Sequence, residues 1–234
     1  MNKTEGKKHP VSLIIEEMVA IFSDLGFEVV LGPEMEDEYH NFDALNVPKD
    51  HPARDMQDTF WIKNNPGKLM RTHTSPVQIR YMEAYKPPFA IVVPGKVFRN
   101  EATDATHEAQ FHQIEGLVVA PNLSMAHLKG VLLEFFRRFV GPETDIRLRP
   151  SFFPFVEPGI EVDVKMTLKN GETAWVEVLG AGMVHPKVLS GSGVNPEEFS
   201  GFAFGMGIDR LIMLKLGVTD VRYLYQGDLR LNQF

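Results

Sequence analysis

The run GIEVDVKMTLKNGETAWVEVLGAGMV, residues 159–184, constrains this chain more than any other stretch. Two apolar-rich segments flank Lys169-Asn170-Gly171-Glu172. An Asn-Gly pair in that position is a strong hairpin signal, because a tight primed turn needs positive φ at both central residues. A hairpin makes its two strands antiparallel neighbours. A second pair of extended runs, FAIVVPGKVFRNE and QFHQIEGLVV, flanks another polar turn, and helical patterns fall between groups of strands rather than after each one. The expected fold class is therefore α+β, a largely antiparallel sheet flanked by helices, rather than a doubly wound parallel sheet.

Between these strands the punctuation is clear. Apolar residues recur at 11, 14, 15, 18, 21, 22 and 25, a helical stripe that Gly26 ends, and FEVVLGP follows as a strand finishing at Pro33. Residues 34–58 are polar, proline-bearing and weakly periodic, which predicts a long loop with a helical turn at 39–45; a loop of that length points to function or disorder. TFWI and LMRTHT are expected as short strands, and SPVQIRYMEAY as a helix with Pro76 at its first position. Pro94-Gly95 is expected to interrupt the extended run around it. Ser124 caps a helix reaching Val140, with Leu128, Val131, Leu132, Phe135, Phe136 and Phe139 as its buried stripe. FAFGMGIDRLIMLKLG turns from strand to helix around residues 205–207.

Composition removes several classes of function. The chain has no cysteine, so disulfides, thiol nucleophiles and thiolate zinc sites are all excluded, and a reducing, cytoplasmic setting is the expectation. Glu16 and Glu17 break the apolar core that an export signal would need, and apolar runs elsewhere stay short of the roughly 20 residues that span a bilayer, so no membrane is expected. The net charge of −7 leaves no broad basic face; if this chain handles nucleic acid, another component must supply much of the grip. HEAQFH lacks the spacing of a helical zinc motif, and its two histidines, His107 and His112, fall on opposite strand faces. FGMG lacks the third glycine of a dinucleotide fingerprint.

The chemistry concentrates in residues 97–119. With a period of two, Arg99 and Glu101 share a face of the outgoing strand, and Phe111, Gln113 and Glu115 share one on the return. Any one of these polar groups suits a solvated hairpin face. Together with an aromatic ring, they suit a platform for a nucleotide and an amino acid. Taken singly, Arg210 beside Asp209 reads better as a surface ion pair, and Phe111 as core; it is the set that favours the platform.

In order along the chain, GFEVVLGPE, FRNEATDATHEAQFHQIEG and GFAFGMGIDRL resemble the three motifs of a class II aminoacyl-tRNA synthetase catalytic domain. Between them, FDALNVPKDHPARD, RTHTSPVQIRYM, FFPFVEPG and GAGMVHPKVL are similar to signatures of the bacterial-type phenylalanyl-tRNA synthetase α subunit, and the likeness runs from residue 9 to residue 234. The resemblance implies that L-phenylalanine attacks ATP to form an adenylate, after which the acyl group moves to tRNA(Phe). It implies that Arg99 bridges the α-phosphate and the substrate carboxylate, and that Arg210 packs on adenine and reaches the γ-phosphate. Phe111 would stack on the opposite adenine face, Glu101 would accept from the exocyclic amine, and His107 would meet the outer phosphates. For phenylalanine, Phe153 and Phe155 would meet the ring edge to face, Ala203 and Gly205 would leave it room, and His73, Ser75, Gln113 and Glu115 would form the polar end. Ser75, ahead of Pro76, suits a helix cap equally well. Glu157 matches a family magnesium position, and Glu177 is a second candidate for Mg2+.

The resemblance also sets expectations for organisation. Residues 1–10 form an N-terminal extension and residues 11–234 the catalytic domain, without the long coiled coil that usually opens such α subunits. The chain is then a minimal or truncated core, paired with a β subunit or with itself. Two rival readings stay open at this stage: a paralogue that adenylates without efficient tRNA charging, and a non-catalytic binding or regulatory module.

Overall fold

The structure is a computed structural model that describes residues 6–54, 58–167, 171–228 and 231. Its elements in chain order are α1 (Pro10–Asp24), β1 (Glu28–Val29), β2 (Met35–Asp37), α2 (Glu38–Asn41), β3 (Lys68–Met70), α3 (Ser75–Ala84), β4 (Phe89–Phe98), β5 (Gln110–Ala120), α4 (Met125–Phe139), β6 (Ile146–Phe153), β7 (Val156–Thr167), β8 (Thr173–Val184), α5 (Pro186–Gly191), β9 (Ser200–Gly207) and α6 (Ile208–Leu216). Seven strands form one sheet in the order β1-β4-β5-β9-β8-β7-β6. Every pairing in it is antiparallel except β1 with β4.

Period-two patterning divides the sheet into two faces. Ile114 on β5, Val162 and Val164 on β7, and Phe204 on β9 face α1, α4 and α6, where Phe22, Phe135 and Phe136 are fully buried. Phe22 stacks on Phe135 with ring centroids 4.4 Å apart, and Phe204 joins the cluster at 5.3 Å from Phe22. Gly116 is what admits Phe204: a Cβ there would overlap that ring. Ser124 caps α4, its backbone N–H donating to His127 Nδ1 at 3.1 Å, and Gly26 ends α1 at φ 89°. The opposite face of the sheet carries the hollows described below.

Several local expectations are corrected. TFWI makes no strand; Trp61 forms a single bridge to Leu69, and of LMRTHT only Lys68–Met70 is strand. Residues 34–54 are structured rather than an open loop: β2 pairs with β3, the expected helical turn is present as α2 and a 3-10 turn at Asp43–Leu45, and a second 3-10 turn spans Pro52–Arg54. The organiser of this segment is Arg54, which donates to Glu38 at 3.0 Å and Asp43 at 2.6 Å and stands 4.9 Å over the Phe42 ring, contacts between residues far apart in sequence that no local pattern reveals. Pro94-Gly95 does not interrupt β4. Val92 turns its carbonyl toward the β1 side, where it accepts from Val30 N–H at 3.0 Å, and Pro94, two residues on, faces the same side beyond the end of β1. The missing donor costs no ladder bond there. β6 was not anticipated: Ile146 and Leu148 alternate with Arg147 and Arg149, but Pro150 breaks the pattern after four residues. In the expected Asn-Gly turn, Asn170 lies outside the described residues, while β7 and β8 pair up to Thr167 and Thr173 around it and Gly171 has φ 82°. Of the extension at residues 1–10, the first five lie outside the described residues, and α1 starts at Pro10.

Candidate active site

β5 and β9 together form a ruled surface. Gln113 lies opposite Gly207, Glu115 opposite Gly205, and Leu117 opposite Ala203. These residues and Phe111 share one face, with rows roughly 7 Å apart. Reading along β5, the surface passes from aromatic ring to amide to carboxylate to aliphatic. A hollow lies at each end. One is lined by Glu101, His107, Phe111 and Arg210, the other by His73, Ser75, Glu115, Phe153, Phe155, Ala203 and Gly205. Arg99 and Gln113 line both.

The second hollow, about 330 Å³, is built for a small amphipathic ligand. Its polar end centres on Glu115, only 5% exposed. Glu115 accepts from Thr74 N–H at 2.9 Å, the Ser75 hydroxyl at 2.5 Å and the Gln78 amide at 2.8 Å, all at the start of α3. α3 therefore points its positive end at the carboxylate. Burial pushes the Glu115 carboxyl up, while the Ser75 hydroxyl and the Thr74 N–H pull against it. Thr74, not Ser75, holds the cap position, and the Ser75 hydroxyl serves Glu115 instead of the helix. Gln78 was missed in the sequence, although Ser75 and Gln78, three apart, lie on one helical face. His73 Nδ1 and Gln113 Oε1 are sealed from solvent with no protein partner. Buried polar atoms are seldom left unpaired, so these two point to a ligand. Burial, reinforced by Arg99 and Arg71, pushes His73 down to about 3, so it is neutral at pH 7.

The far end is apolar, walled by Leu45, Ile79, Met82, Val184 and Val188. Phe153 and Phe155 both reach this hollow, but their rings stack on one another, centroids 5.9 Å apart and 21° between planes. The bulge at residues 151–153 and Gly180 together seat Phe153: a Cβ on Gly180 would stand 2.8 Å from its Cζ. Asn46, at φ 57°, donates to Pro154 O at 2.7 Å and so ties the structured 38–54 segment to the Phe153–Phe155 wall.

At the nucleotide-like end, the Arg99 guanidinium lies 5.0 Å over the Phe111 ring, and Arg99 Nε donates to Thr72 O at 3.3 Å. Glu101 stands 4.0 Å from Arg99. Asp104 builds the turn between β4 and β5, accepting from Thr106 N–H at 2.7 Å and His107 N–H at 2.8 Å, and it sits 3.0 Å from the His107 ring. Arg210 is exposed on the first turn of α6, where its Nε donates to Glu177 O at 2.9 Å. The surface ion pair with Asp209 does not form. Asp209 is buried, accepting from His112 N–H at 2.7 Å and from the Tyr225 hydroxyl.

The two expected metal carboxylates are not brought together. The Glu157 side chain is 74% exposed, 3.3 Å from His185 Nε2, and Glu177 is engaged by Arg149 at 2.8 Å. Val156 pairs with Val184 and Asp163 with Glu177, so seven β8 positions, on the order of 20 Å, separate them. Neither lines the two hollows. Among the described residues, Glu36, Asp37 and His40 do converge, with ligating atoms within 4.8 Å, but two Arg80 nitrogens, at 2.9 and 2.6 Å, already satisfy Glu36.

Comparison with known proteins agrees with the fold. The family described as tRNA synthetases class II core domain (F) matches residues 1–234. The phenylalanine–tRNA ligase alpha subunit of Dehalococcoides mccartyi is 56% identical over 242 residues, covering 98% of this chain and 70% of the relative. That of Trichlorobacter lovleyi is 53% identical, covering 99% and 70%. Among solved structures, pyrrolysyl-tRNA synthetase from Desulfitobacterium hafniense superposes with a TM-score of 0.71 at 17% identity, over 94% of this chain and 74% of that one, a likeness of fold. With a family match along its whole length and relatives above half identity across nearly all of it, the chain belongs to the class II tRNA synthetase core family and, within it, to the phenylalanine–tRNA ligase alpha subunits.

Proposed function

We propose that this chain activates L-phenylalanine with ATP and, together with a β subunit, transfers the phenylalanyl group to tRNA(Phe). The observation that carries this reading is Arg99, which lines both hollows on the β5/β9 surface. In the first step, a carboxylate oxygen of phenylalanine bonds to the α-phosphorus of ATP. The bond from that phosphorus to the bridging oxygen breaks, and pyrophosphate leaves. The nucleophile is already ionised at neutral pH, so no general base is needed. The protein's work is alignment and the stabilisation of charge growing on phosphate oxygens. Arg99, at the junction, holds the carboxylate and α-phosphate together. Arg210 and His107 take the far end of the nucleotide, and Glu101 and Phe111 take its base.

The substrate lies along the ruled surface with its ammonium at Glu115 and Gln113 and its ring over Ala203. The glycines at 205 and 207 let it lie flat; a Cβ on Gly205 would press on the Glu115 side chain at 3.0 Å. Tyrosine is disfavoured because the aliphatic far end offers its hydroxyl no side-chain partner, a cost of about 1–3 kcal/mol. Bound magnesium would neutralise the phosphates of the nucleotide, and Glu157 and Glu177 lie too far apart to hold it jointly. The net charge of −7 supports a partner that carries much of the tRNA contact. No helix among the described residues is long and apolar enough to cross a membrane, and we place the activity in the cytoplasm. The charged groups gathered in one hollow count against a non-catalytic module.

The test is pyrophosphate exchange across the amino acids. Exchange should depend on phenylalanine and fall by two to three orders of magnitude in Arg99→Ala, the usual scale for losing one group that stabilises transition-state charge. Exchange indifferent to phenylalanine, or unimpaired in that variant, would refute the proposal.

A further inference from the structure

The walls of the nucleotide hollow come from distant parts of the chain. Phe111 and Gln113 stand on β5, and Arg210 stands on α6. Their separation decides whether a flat base fits, and misplacement by about 1 Å can cost a hundredfold in rate. Asp209 spans the gap. One carboxylate oxygen accepts from His112 N–H, the peptide between Phe111 and Gln113, at 2.7 Å. The other accepts from the Tyr225 hydroxyl. The Tyr225 oxygen also meets His112 Nδ1 at 3.0 Å, and the two rings lie parallel, 1° apart in plane with centroids separated by 6.1 Å. Tyr225 follows directly on the 3-10 turn Val221–Leu224, which itself touches the site: Val221 lines the hollow, and its N–H donates at 2.9 Å to Ala105 O, in the turn that carries His107. The stretch from 221 to 225 thus holds the β5 wall, the α6 wall and the phosphate-side turn at once.

We infer that Tyr225 is a positioning residue for the nucleotide half of the reaction, fixing through Asp209 the distance between the β5 wall and Arg210. It touches no substrate and lies outside the three motifs. The inference rests on the reading of this hollow as the ATP site.

The test uses the full chain with its partner subunit and steady-state pyrophosphate exchange. Tyr225→Phe keeps the ring and removes the one donor. The KM for ATP should rise about tenfold, the usual worth of a hydrogen bond to a buried carboxylate, while the KM for phenylalanine stays within twofold. Asp209→Asn, which keeps the shape of the side chain, should show the same split and carries the test if Tyr225→Phe proves insoluble. The double variant should be no worse than the more impaired single, because the two residues act as one unit. Equal rises in both KM values, or a lowered melting temperature with both unchanged, would overturn the positioning role. The ATP-site reading fails separately: Arg210→Ala would then leave the ATP dependence intact.

Discussion

At the residue scale the site is governed by one buried carboxylate. Glu115 holds three donors yet sits where burial drives its carboxyl upward, so the empty site favours proton uptake more than an ordinary glutamate does. An ammonium ligand binds the ionised form. Phenylalanine affinity should therefore rise with pH through a titration displaced above the usual value near 4.3, and the KM for phenylalanine should worsen on the acid side while that for ATP does not. Glu115→Gln should flatten this profile and raise the phenylalanine KM by about 10- to 100-fold, the scale of a charged hydrogen bond. A profile that Glu115→Gln leaves unchanged would assign the titration elsewhere. One row along, Ala203 sets the room for the ring. Ala203→Gly removes one methyl and should admit para-substituted phenylalanines with a gain of roughly tenfold or more in kcat/KM for exchange, as one methylene in an apolar pocket is worth. Unchanged discrimination would mean the ring lies elsewhere.

At the element scale the outer sheet edge is held by charge as much as by its ladder. Asp163 on β7, its side chain 3% exposed, accepts from Arg147 Nε at 2.9 Å and from Arg149 Nε at 2.9 Å, both on the edge strand β6. Arg149, and behind it Arg147, hold the Asp163 carboxyl below the usual range against the cost of burying it. A depressed folded value means the contribution is fully present above the unfolded value near 3.9 and is lost as pH falls through the folded one. Asp163→Asn should cost about 1–3 kcal/mol at pH 7, and the gap to the parent in urea titrations should close below about pH 4. An equal gap at pH 3 and pH 7 would exclude the charge as its cause. β6 was hard to see in the sequence because its pattern is short, not because it lacks one. Its apolar and charged residues alternate only from Ile146 to Arg149 before Pro150 breaks the run, whereas the hairpin strands β7 and β8 and the helix α4 carry their signal in their own period and caps. The site divides the same way. Phe111, Gln113 and Glu115 were legible because one strand spaces them, but Gly180, Gln78 and Tyr225 depend on partners brought in by tertiary packing. Ser75 showed the limit of local reasoning, since its hydroxyl had two plausible uses and only the approach of β5 to α3 decided between them.

At the scale of the whole molecule, two unlike surfaces share the labour. The catalytic face gathers arginines locally, yet the chain as a whole carries −7, which opposes a polyanion at distances beyond a few ångströms. Meanwhile β1 and the residues after it expose Val29 and Leu31, with Leu31 75% exposed, and Met35 on β2 and Tyr85 at the end of α3 are also exposed. Tyr85 stacks on Tyr81 with centroids 4.4 Å apart, and Tyr81 donates to Glu28 at 2.9 Å, which ties the end of α3 to β1. Among the described residues β1 pairs only with β4, which leaves it a sheet edge. Exposed leucine and valine beside an unpaired strand edge suit a partner, and the proposed β subunit is the occupant that would also supply the missing grip on tRNA. Leu31→Asp should therefore weaken association with that subunit by about 10- to 100-fold, the equivalent of one leucine returned to water, with little change in the chain's own melting temperature because the side chain is already exposed. Phenylalanine-dependent exchange by the free chain should survive, since Leu31 lines neither hollow on the β5/β9 surface, and charging of tRNA(Phe) should fall in step with loss of the complex. Sedimentation of the mixed subunits, read beside exchange and charging, separates the possibilities: charging that persists after the complex has dissociated would place the tRNA contacts on this chain despite its charge.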